Sequence, residues 1–409
     1  MKILILTQYY PPEIGAPQNR LHELAVRLQK AGVEVEVLTA MPNYPRMEIM
    51  DAYRGGKIRE EVIDEIPVKR AKIFVSKSKG IFARLLNYFS FVFTSYWRGR
   101  RLENADFLLV ESPPLFLGYS AMRLAKKLNA KLIFNVSDLW PESAEKMGIV
   151  NNRRLLAMAY KLERKCYERS TLVTGQTQGI VDDISSRFPD TRVFWLPNGV
   201  DVEFYNPDII QAGDLREEIG AKKEDILFFY GGIIGHAQGL ETLLEAAKLL
   251  EHRTDFKIIL QGAGPVKESL LKLNKELKLN SIVFREPVQK SEMPSILKSV
   301  DVALVPLRKL DIFQGAIPSK IFEAQAMKLP LLLGVDGEAK KHFIDTAESG
   351  LYFEPENAKH LSECMIEMME NRANLKIMGE NARAYVEQNF NRNVIAENLI
   401  KELNTLEKI

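Results

Sequence analysis

Short runs of aliphatic and β-branched residues alternate with longer segments of helical periodicity along most of this 409-residue chain. In the first half the runs are "KILILT", "VEVEVLT", "VKRAKIFV", "DFLLVE", "KLIFNV", "TLVTG" and "RVFWLP", with helices predicted over 17–31, 81–101, 115–129 and 153–168. Strands separated by helices indicate parallel βαβ units in a doubly wound sheet. The pattern then restarts with "DILFFYGG", "FKIILQGAGP", "SIVF", "DVALVPL" and "LPLLLG". The chain is therefore predicted to be an α/β protein with two Rossmann-like domains.

Turn signals cluster between Asn198 and Ile226, where "PNGVD", "NPD" and "AGD" occur without a clear long strand. We predict an N-terminal domain over 1–200, a C-terminal domain over 201–388, and a final helix over 389–409 that packs back on the N-terminal domain. Ligands of such domains bind at the carboxyl ends of the strands, and we expect the site in a cleft between the two domains.

Composition excludes several classes of protein. The net charge of +2 gives no overall basic field, so no nucleic-acid partner is expected. Cys166 and Cys364 are far apart, which indicates a reducing cytosol and neither a disulfide framework nor a zinc site. The start "MKILILTQYY" resembles a first strand rather than a signal peptide. No apolar run approaches the roughly 18 residues of a spanning helix, and we expect a cytoplasmic protein.

The loop after the first predicted strand, "QYYPPEIGAPQNR", contains no GxGxxG, and strand two ends in "LTAMPN" without an acidic residue for a ribose. Both facts disfavour a dinucleotide cofactor. Gly15 and Ala16 precede a predicted helix, where backbone N–H groups can bind an anion. A Pro/Gly connection without a chemical role is the alternative interpretation.

A second glycine-rich turn lies in "DILFFYGGIIGHAQGLETLLEAA", between a buried strand and an amphipathic helix. Glycines such as Gly232 allow a backbone to approach phosphate closely. His236 and Gln238 lie in the turn and are candidate hydrogen-bond donors to phosphate oxygens. An incidental loop histidine is the alternative for His236.

A lysine stands at the start of a predicted buried helix in "GAIPSKIFEAQAMKLPLLLGVD". Ser319 is the predicted helix cap. A cation is disfavoured by the partial positive charge of a helix start, so Lys320 indicates an anionic partner. Lys320 and Glu323 share one helix face. We predict that Lys320 binds a diphosphate and that Glu323 accepts two hydroxyl groups of a ribose; a Lys–Glu surface pair is the alternative.

Asp138 follows the predicted strand "KLIF" in "NVSDLWPES", which places it at the carboxyl end of a first-domain strand. A carboxylate in that position is able to orient a hydroxyl group or accept a proton. Capping of the next segment is an equally supported interpretation.

The segment 77–101 combines aromatic and basic residues and contains no acidic ones. Its apolar residues recur at helical spacing, and its basic residues cluster at the two ends: Lys77, Lys79, Arg84, Arg98, Arg100 and Arg101. Such a segment is typical of a helix at a membrane interface. A core helix with solvated ends is the alternative, so peripheral contact with the inner face of the membrane stays an open expectation.

Taken together, the motifs resemble the family 4 glycosyltransferases of the GT-B fold over essentially the whole chain. The resemblance is carried by "TQYYPPEIGAP", "MPNYP", "SPPLFLG", "SDLWPES", "LPNGVD", "GHAQGLETLLEA" and "GAIPSKIFEAQAMKLPLLLGVDGEA". It is strongest to the branch of N-acetyl-L-fucosamine and colanic-acid-type transferases that build bacterial surface polysaccharides. The family resemblance implies transfer from a nucleotide diphosphate sugar, with retention at the anomeric carbon and without a metal or other cofactor.

The resemblance also assigns residues. Glu323 matches the second glutamate of the family's Glu, seven residues, Glu motif, which binds the donor ribose, whereas Gly315 stands where the first is expected. Many relatives carry Arg and Lys in the turn where this chain has His236 and Gln238. Lys320, with Arg308 of "VPLRK" as a second cation, is then expected to meet the diphosphate. Asp138 corresponds loosely to a polar active-site residue.

The implied donor is a UDP-linked sugar, an N-acetylated hexosamine or deoxyhexosamine. The implied acceptor is a glycan or a polyprenyl-diphosphate-linked sugar of O-antigen or capsule. We expect donor binding in the C-terminal domain and the acceptor side in the N-terminal domain. A nucleotide-sugar 2-epimerase of the same architecture and a non-catalytic nucleotide-sugar-binding protein are the alternatives.

Overall fold

The computed structural model describes residues 1–13, 15–78, 80–148 and 150–407. The chain divides into two units. Unit 1 contains Met1–Asn198 and the C-terminal segment from Ile395, and unit 2 contains Gly199–Val394. Each unit is built on its own sheet with helices on both faces, so the predicted α/β class with two Rossmann-like domains is confirmed.

Unit 1 contains an eight-stranded sheet in the order β3-β4-β2-β1-β5-β6-β7-β8. Its strands are β1 (Lys2–Leu6), β2 (Glu34–Ala40), β3 (Glu60–Ile63), β4 (Ile66–Ala71), β5 (Phe107–Ser112), β6 (Lys131–Val136), β7 (Leu172–Gly175) and β8 (Val193–Trp195). All pairs are parallel except the β3–β4 hairpin. The chain leaves β1 first toward β2 and later returns to its other side as β5, which places a crevice at their carboxyl ends.

Buried side chains on both faces hold this sheet between its helices. The helices are α1 (Ala16–Lys30), α2 (Ile81–Gly99), α3 (Gly118–Lys127), α4 (Glu142–Lys146), α5 (Arg153–Glu168) and α6 (Gln178–Arg187), with 3-10 segments at Asp51–Gly56 and Leu115–Leu117. Along β1, Ile3 and Ile5 enter one core cluster, whereas Leu4 and Leu6 enter the other. This alternation follows from the two-residue period of a strand, and burial on both faces explains the near-continuous apolar runs.

Unit 2 contains a six-stranded parallel sheet in the order β11-β10-β9-β12-β13-β14. The strands are β9 (Ile226–Gly231), β10 (Phe256–Gln261), β11 (Ile282–Arg285), β12 (Val302–Pro306), β13 (Leu331–Gly334) and β14 (Gly350–Tyr352). The helices are α7 (Leu215–Glu218), α8 (Glu241–Leu249), α9 (Lys267–Leu277), α10 (Met293–Lys298), α11 (Lys320–Ala326), α12 (Glu338–Lys340), α13 (Ala358–Glu370) and α14 (Arg372–Asn389). Short 3-10 helices occupy His236–Gln238, Lys290–Glu292 and Asp311–Phe313, and a π-helical segment spans Lys341–Thr346.

Several elements differ from the sequence prediction. The strand predicted over "VKRAKIFV" ends at Ala71, and the helix predicted over 115–129 is a 3-10 turn followed by α3. Strand β3 was not predicted, because "EEVI" is a half-exposed edge strand without an apolar run. Helix α6 and the three-residue strand β14 were also missed. The local pattern is weak in each of these elements, and tertiary pairing decides the structure.

The last helix, α15 (Arg392–Glu407), packs on unit 1 rather than on the unit that precedes it in the chain. Its buried residues Ile395, Leu399, Leu403 and Leu406 join the same core cluster as Ile3. A three- to four-residue spacing puts these side chains on one helix face. The C-terminal segment is thus a structural part of the N-terminal fold.

Within the described part of the chain, none of the helices has the length and apolarity required to span a bilayer.

Replacing Leu399 by alanine is expected to destabilise unit 1 by about 2–5 kcal/mol, because a fully buried leucine leaves a cavity in a packed core. Urea unfolding followed by fluorescence measures the loss. Leu155→Ala is the matched control, since Leu155 is 54% exposed on α5 of the same unit. Equal effects of the two substitutions would contradict the packing of α15 described above.

Candidate functional site

A cavity of about 520 Å³ opens in unit 2 at the carboxyl ends of β9 and β12. Residues of the two strands line its floor, Phe229 and Gly231 from β9 and Ala303, Leu304 and Val305 from β12. One wall is the segment that leads into α11, whose polar lining groups are Ser319, Lys320 and Glu323. The cavity thus lies where parallel α/β sheets bind ligands.

Lys320 is the first residue of α11 and lines the cavity with a partly buried side chain. Its ammonium nitrogen lies 3.6 Å from the centroid of the Tyr230 ring. Among the described residues, no carboxylate lies within ion-pairing distance of Lys320. Burial lowers the pKa of Lys320 to about 7, and the nearby Glu323 charge opposes this shift. Ser319 is the N-cap residue of the helix, as predicted, but its side chain makes no capping hydrogen bond.

Glu323 follows one turn later on the same helix and also lines the cavity. Burial raises the pKa of its carboxyl group. Lys290, the Tyr205 hydroxyl, Arg392 and Lys320 lower that pKa again, in this order of importance. Lys320 and Glu323 are therefore two separate polar groups of one cavity rather than the alternative surface ion pair. The contributions of Tyr205 and Lys290 were not predicted, because neither is near Glu323 in sequence.

The glycine-rich turn after β9 contributes space beside Lys320. Gly232 has φ +138°, a conformation that side-chain-bearing residues rarely adopt, and a Cβ atom there would lie 3.2 Å from the Lys320 ammonium nitrogen. The Gly232 amide donates to the Gln261 carbonyl at 3.0 Å, which pairs the turn with β10. The Gly232 amide is therefore already hydrogen-bonded. What Gly232 contributes to ligand binding is the space left by its missing side chain.

Of the remaining predicted residues of unit 2, some line the cavity and others do not. Gln238 lines it, whereas the neighbouring His236 is exposed and is not a lining residue. Arg308 is half-exposed, with its guanidinium 3.8 Å from the Glu241 carboxylate, and follows the lining residue Leu307. Gly315 is exposed, and no atom lies within 4 Å of the position that its Cβ would take. A Cβ atom would thus fit at position 315 without a close contact.

In unit 1, the predicted anion site at the start of α1 is partly covered. Gly15 is the residue before the helix, with extended backbone, and Ala16 is the first helical residue. A Cβ atom on Gly15 would lie 2.4 Å from the Gln18 amide oxygen. The Gln18 side chain, which is 3% exposed, therefore covers the glycine. A side chain at position 15 would therefore require the end of the Gln18 side chain to move.

Asp138 follows β6 and accepts a hydrogen bond from the Ser143 hydroxyl at 2.8 Å. This contact joins two side chains and is not a helix cap, because Pro141 is the N-cap residue of α4 and that helix has no side-chain capping hydrogen bond. The other carboxylate oxygen of Asp138 accepts no hydrogen bond within the described part of the chain, so the role of orienting a hydroxyl group stays a prediction.

A buried polar network beside Asp138 was not predicted. Glu111, at the end of β5, accepts hydrogen bonds from Arg20, Ser137 and Asn135. Arg20 also donates to the Ser137 hydroxyl at 2.7 Å. The network ties α1 to the carboxyl ends of β5 and β6. The available signal was a glutamate that ends the otherwise apolar run "DFLLVE".

Both halves of the chain match glycosyltransferase families. Residues 15–199 match the glycosyl transferase 4-like domain, and residues 212–385 match the glycosyl transferases group 1 domain. With two parallel-sheet α/β units of this kind, the chain belongs to the GT-B glycosyltransferases of family 4 and is an enzyme of the hexosyltransferase class.

Three related proteins illustrate the match. WcaI of Escherichia coli, assigned as a colanic acid biosynthesis glycosyl transferase, is 26% identical over 329 residues, which cover 78% of this chain and 80% of that protein. A UDP-Gal:alpha-D-GlcNAc-diphosphoundecaprenol alpha-1,3-galactosyltransferase of Escherichia coli is 26% identical over 49% of this chain and 51% of its own length. The crystal structure of HepE from Anabaena, in complex with UDP and glucose, superimposes with a TM-score of 0.69 at 16% identity and covers 99% of this chain and all of that one.

The lowered pKa of Lys320 predicts a pH-dependent stability. The unfolded lysine keeps its ordinary pKa of 10.5, so between about pH 7 and that value unfolding takes up a proton. The free energy of unfolding should therefore rise with pH between about 7 and 10.5, by at most about 1.4 kcal/mol per pH unit, and become independent of this group below about pH 7.

Urea unfolding of the wild type and of Lys320→Met, from about pH 7 to about pH 9, isolates this slope because other titrating groups are shared. The difference between the two proteins should grow with pH in favour of the wild type. Parallel stability curves would show that Lys320 has an ordinary pKa.

Proposed function

We propose that the enzyme transfers a sugar from a nucleoside diphosphate donor, UDP-linked, to a glycan or polyprenyl-diphosphate-linked acceptor in surface polysaccharide biosynthesis. The observation that carries the proposal is the Lys320 ammonium in the unit 2 cavity without a carboxylate partner among the described residues, one helical turn from Glu323. The assignment of WcaI to colanic acid synthesis and the diphosphoundecaprenol substrate of the galactosyltransferase support the polysaccharide setting. The UDP bound in the HepE structure supports uridine as the nucleoside of the donor. The sugar is an N-acetylated hexosamine or deoxyhexosamine, as the resemblance implies.

In the proposed reaction the diphosphate leaves the anomeric carbon with its bonding electrons and carries negative charge. Lys320 neutralises that charge in a partly buried site, where an electrostatic contact is stronger than in water. The acceptor hydroxyl attacks on the same face, and the departing phosphate takes its proton, which gives retention. Because Lys320 provides the positive charge, the proposal requires no metal cofactor.

Glu323 holds the other end of the donor in this proposal. Its carboxylate accepts hydrogen bonds from two hydroxyl groups of the ribose. Such charge-assisted bonds need an ionised carboxylate, which Lys290, Tyr205 and Lys320 favour against burial. Gln238 and Arg308 stay as predicted contacts of the donor, and Asp138 stays a predicted contact of the acceptor.

Substituting Lys320 by alanine is expected to lower the transfer rate by about 100-fold or more, because the variant loses a group matched to charge that develops in the transition state. Product formation from a UDP-sugar panel with a synthetic lipid-linked acceptor measures the rate. Lys328→Ala is the matched control, since Lys328 pairs with Glu380 and does not line the cavity. Transfer by Lys320→Ala within a few-fold of wild type would refute the diphosphate role.

Substituting Glu323 by alanine should weaken UDP binding by roughly 10- to 100-fold, the loss expected for hydrogen bonds to a charged group. Isothermal titration calorimetry measures the affinity. Glu245→Ala, a change at an exposed position of α8, serves as control. Unchanged affinity in Glu323→Ala would place the ribose elsewhere.

We further propose that α2 rests on the membrane that holds the acceptor. Five apolar side chains at helical spacing are 43% to 80% exposed: Phe82, Leu86, Phe89, Phe93 and Trp97. The opposite face is buried through residues such as Phe91, so the exposure of the apolar stripe supports the membrane interpretation over a core helix with solvated ends. An exposed apolar stripe of this size is typical of a helix that lies in a membrane interface.

Basic groups surround the end of this stripe. The Arg100 guanidinium lies 3.5 Å from the centroid of the Trp97 ring, and Arg101 follows it at the surface. Lys77 and Arg98 are paired with Glu48 and Glu60 and are less available to lipid phosphates. Lys79 and the side chain of Arg84 lie outside the described residues. Arg100 and Arg101 therefore provide the described positive charge for an anionic bilayer.

Replacing Phe93 by glutamate should reduce binding to anionic liposomes by roughly 10-fold or more, because burial of a phenylalanine side chain contributes about 1.5–3 kcal/mol. A flotation assay measures the bound fraction. Ile377→Glu is the control, since Ile377 is 59% exposed on α14 of unit 2. Equal flotation of both variants, or none by the wild type, would contradict the membrane role of α2.

A further inference from the structure

Tyr230 lies directly beneath Lys320, although its side chain does not line the cavity. It is the next-to-last residue of β9, has no exposed surface, and belongs to the same core cluster as Ile226 and Phe228. Its hydroxyl donates to the Ile233 carbonyl at 2.6 Å, while its ring face meets the Lys320 ammonium at 3.6 Å. One buried side chain thus contacts both the glycine-rich turn and the cation of the site.

The aromatic contact restrains the Lys320 ammonium without the negative charge that a carboxylate partner would add. A lysine side chain is flexible, and fixing it costs conformational entropy. A carboxylate partner would fix the ammonium but would also compete with any anionic ligand for its charge. The face of a tyrosine ring attracts the ammonium through its quadrupole and leaves the net charge of the site unchanged.

The geometry around Gly232 restricts the ammonium from the other side. A Cβ atom on Gly232 would lie 3.2 Å from the Lys320 nitrogen and 3.8 Å from the Tyr230 hydroxyl. The turn is itself held by hydrogen bonds from Gly232 to Gln261 and from Ile234 to Ala263. Ring and turn together therefore define where the ammonium lies.

We propose that Tyr230 is a positioning residue of the donor site, and that its ring face holds the Lys320 ammonium at the cavity ready to receive the donor diphosphate. This inference rests on the proposed function, because it takes the nucleoside diphosphate as the ligand. Tyr230 acts through Lys320 and does not itself touch the donor.

A fluorination series at position 230 tests the inference with little change in side-chain shape. Tyr230 is replaced first by phenylalanine and then by phenylalanine analogues with one, two and three ring fluorines, which progressively weaken the quadrupole. We expect Tyr230→Phe to bind UDP within a few-fold of wild type. Each added fluorine should then weaken binding, to roughly 10-fold below Tyr230→Phe for three fluorines.

The same series in a Lys320→Met background is the control that separates positioning from packing, because a residue that acts only through Lys320 has no effect once Lys320 is gone. A flat series in the wild-type background, or an equally steep one in the Lys320→Met background, overturns the positioning role and leaves the proposed function intact. Wild-type protein that binds none of UDP, GDP, ADP and dTDP overturns both.

Discussion

The site depends on a lysine held in a partly buried cavity without a counter-ion among the described residues. Burial removes water from the Lys320 ammonium, which is why its pKa falls to about 7. The Tyr230 face offsets part of that cost, and Glu323 acts on the ammonium at longer range. An anionic ligand would supply the missing charge and favour the protonated form again. The free enzyme therefore keeps the Lys320 ammonium partly desolvated and without a bound anion. This state is unfavourable, a diphosphate would relieve it, and such groups are common at functional sites.

In both units, polar side chains lie at the carboxyl ends of the parallel strands. In unit 2 the cavity lies above β9 and β12, and in unit 1 the Glu111 network joins α1 to β5 and β6. The two arrangements differ in charge balance. Glu111 is fully bonded by Arg20, Ser137 and Asn135, which is typical of a structural network. Among the described residues, the Lys320 ammonium contacts the Tyr230 ring and forms no ion pair, which is typical of a group that binds a ligand.

Much of the fold could be predicted from the sequence, because buried parallel strands appear as apolar runs. "KILILT", "KLIFNV" and "FKIILQ" correspond to β1, β6 and β10, and Lys320 and Glu323 share a face because of their spacing. Contacts between distant segments could not be predicted. The approach of Tyr230 to Lys320, for example, joins residues 90 positions apart and has no local signal in the pattern. The hydrogen bond from Ser143 to Asp138 was not predicted either.

Gly315 lies in open space, because no atom lies within 4 Å of the position that its Cβ would take. The residue before it, Gln314, is held by backbone contacts, and its side chain donates to the Asp311 carboxylate at 3.4 Å. The Glu338 amide donates to the Gln314 carbonyl at 2.8 Å, and Gly337 lies so close that a Cβ atom would approach the same carbonyl to 2.0 Å. The loop after β13 therefore contacts the backbone of the residue before Gly315. In the proposed reaction, a donor sugar that meets this segment finds no carboxylate at position 315, so the contact that a glutamate would make there has to come from the backbone or from another side chain.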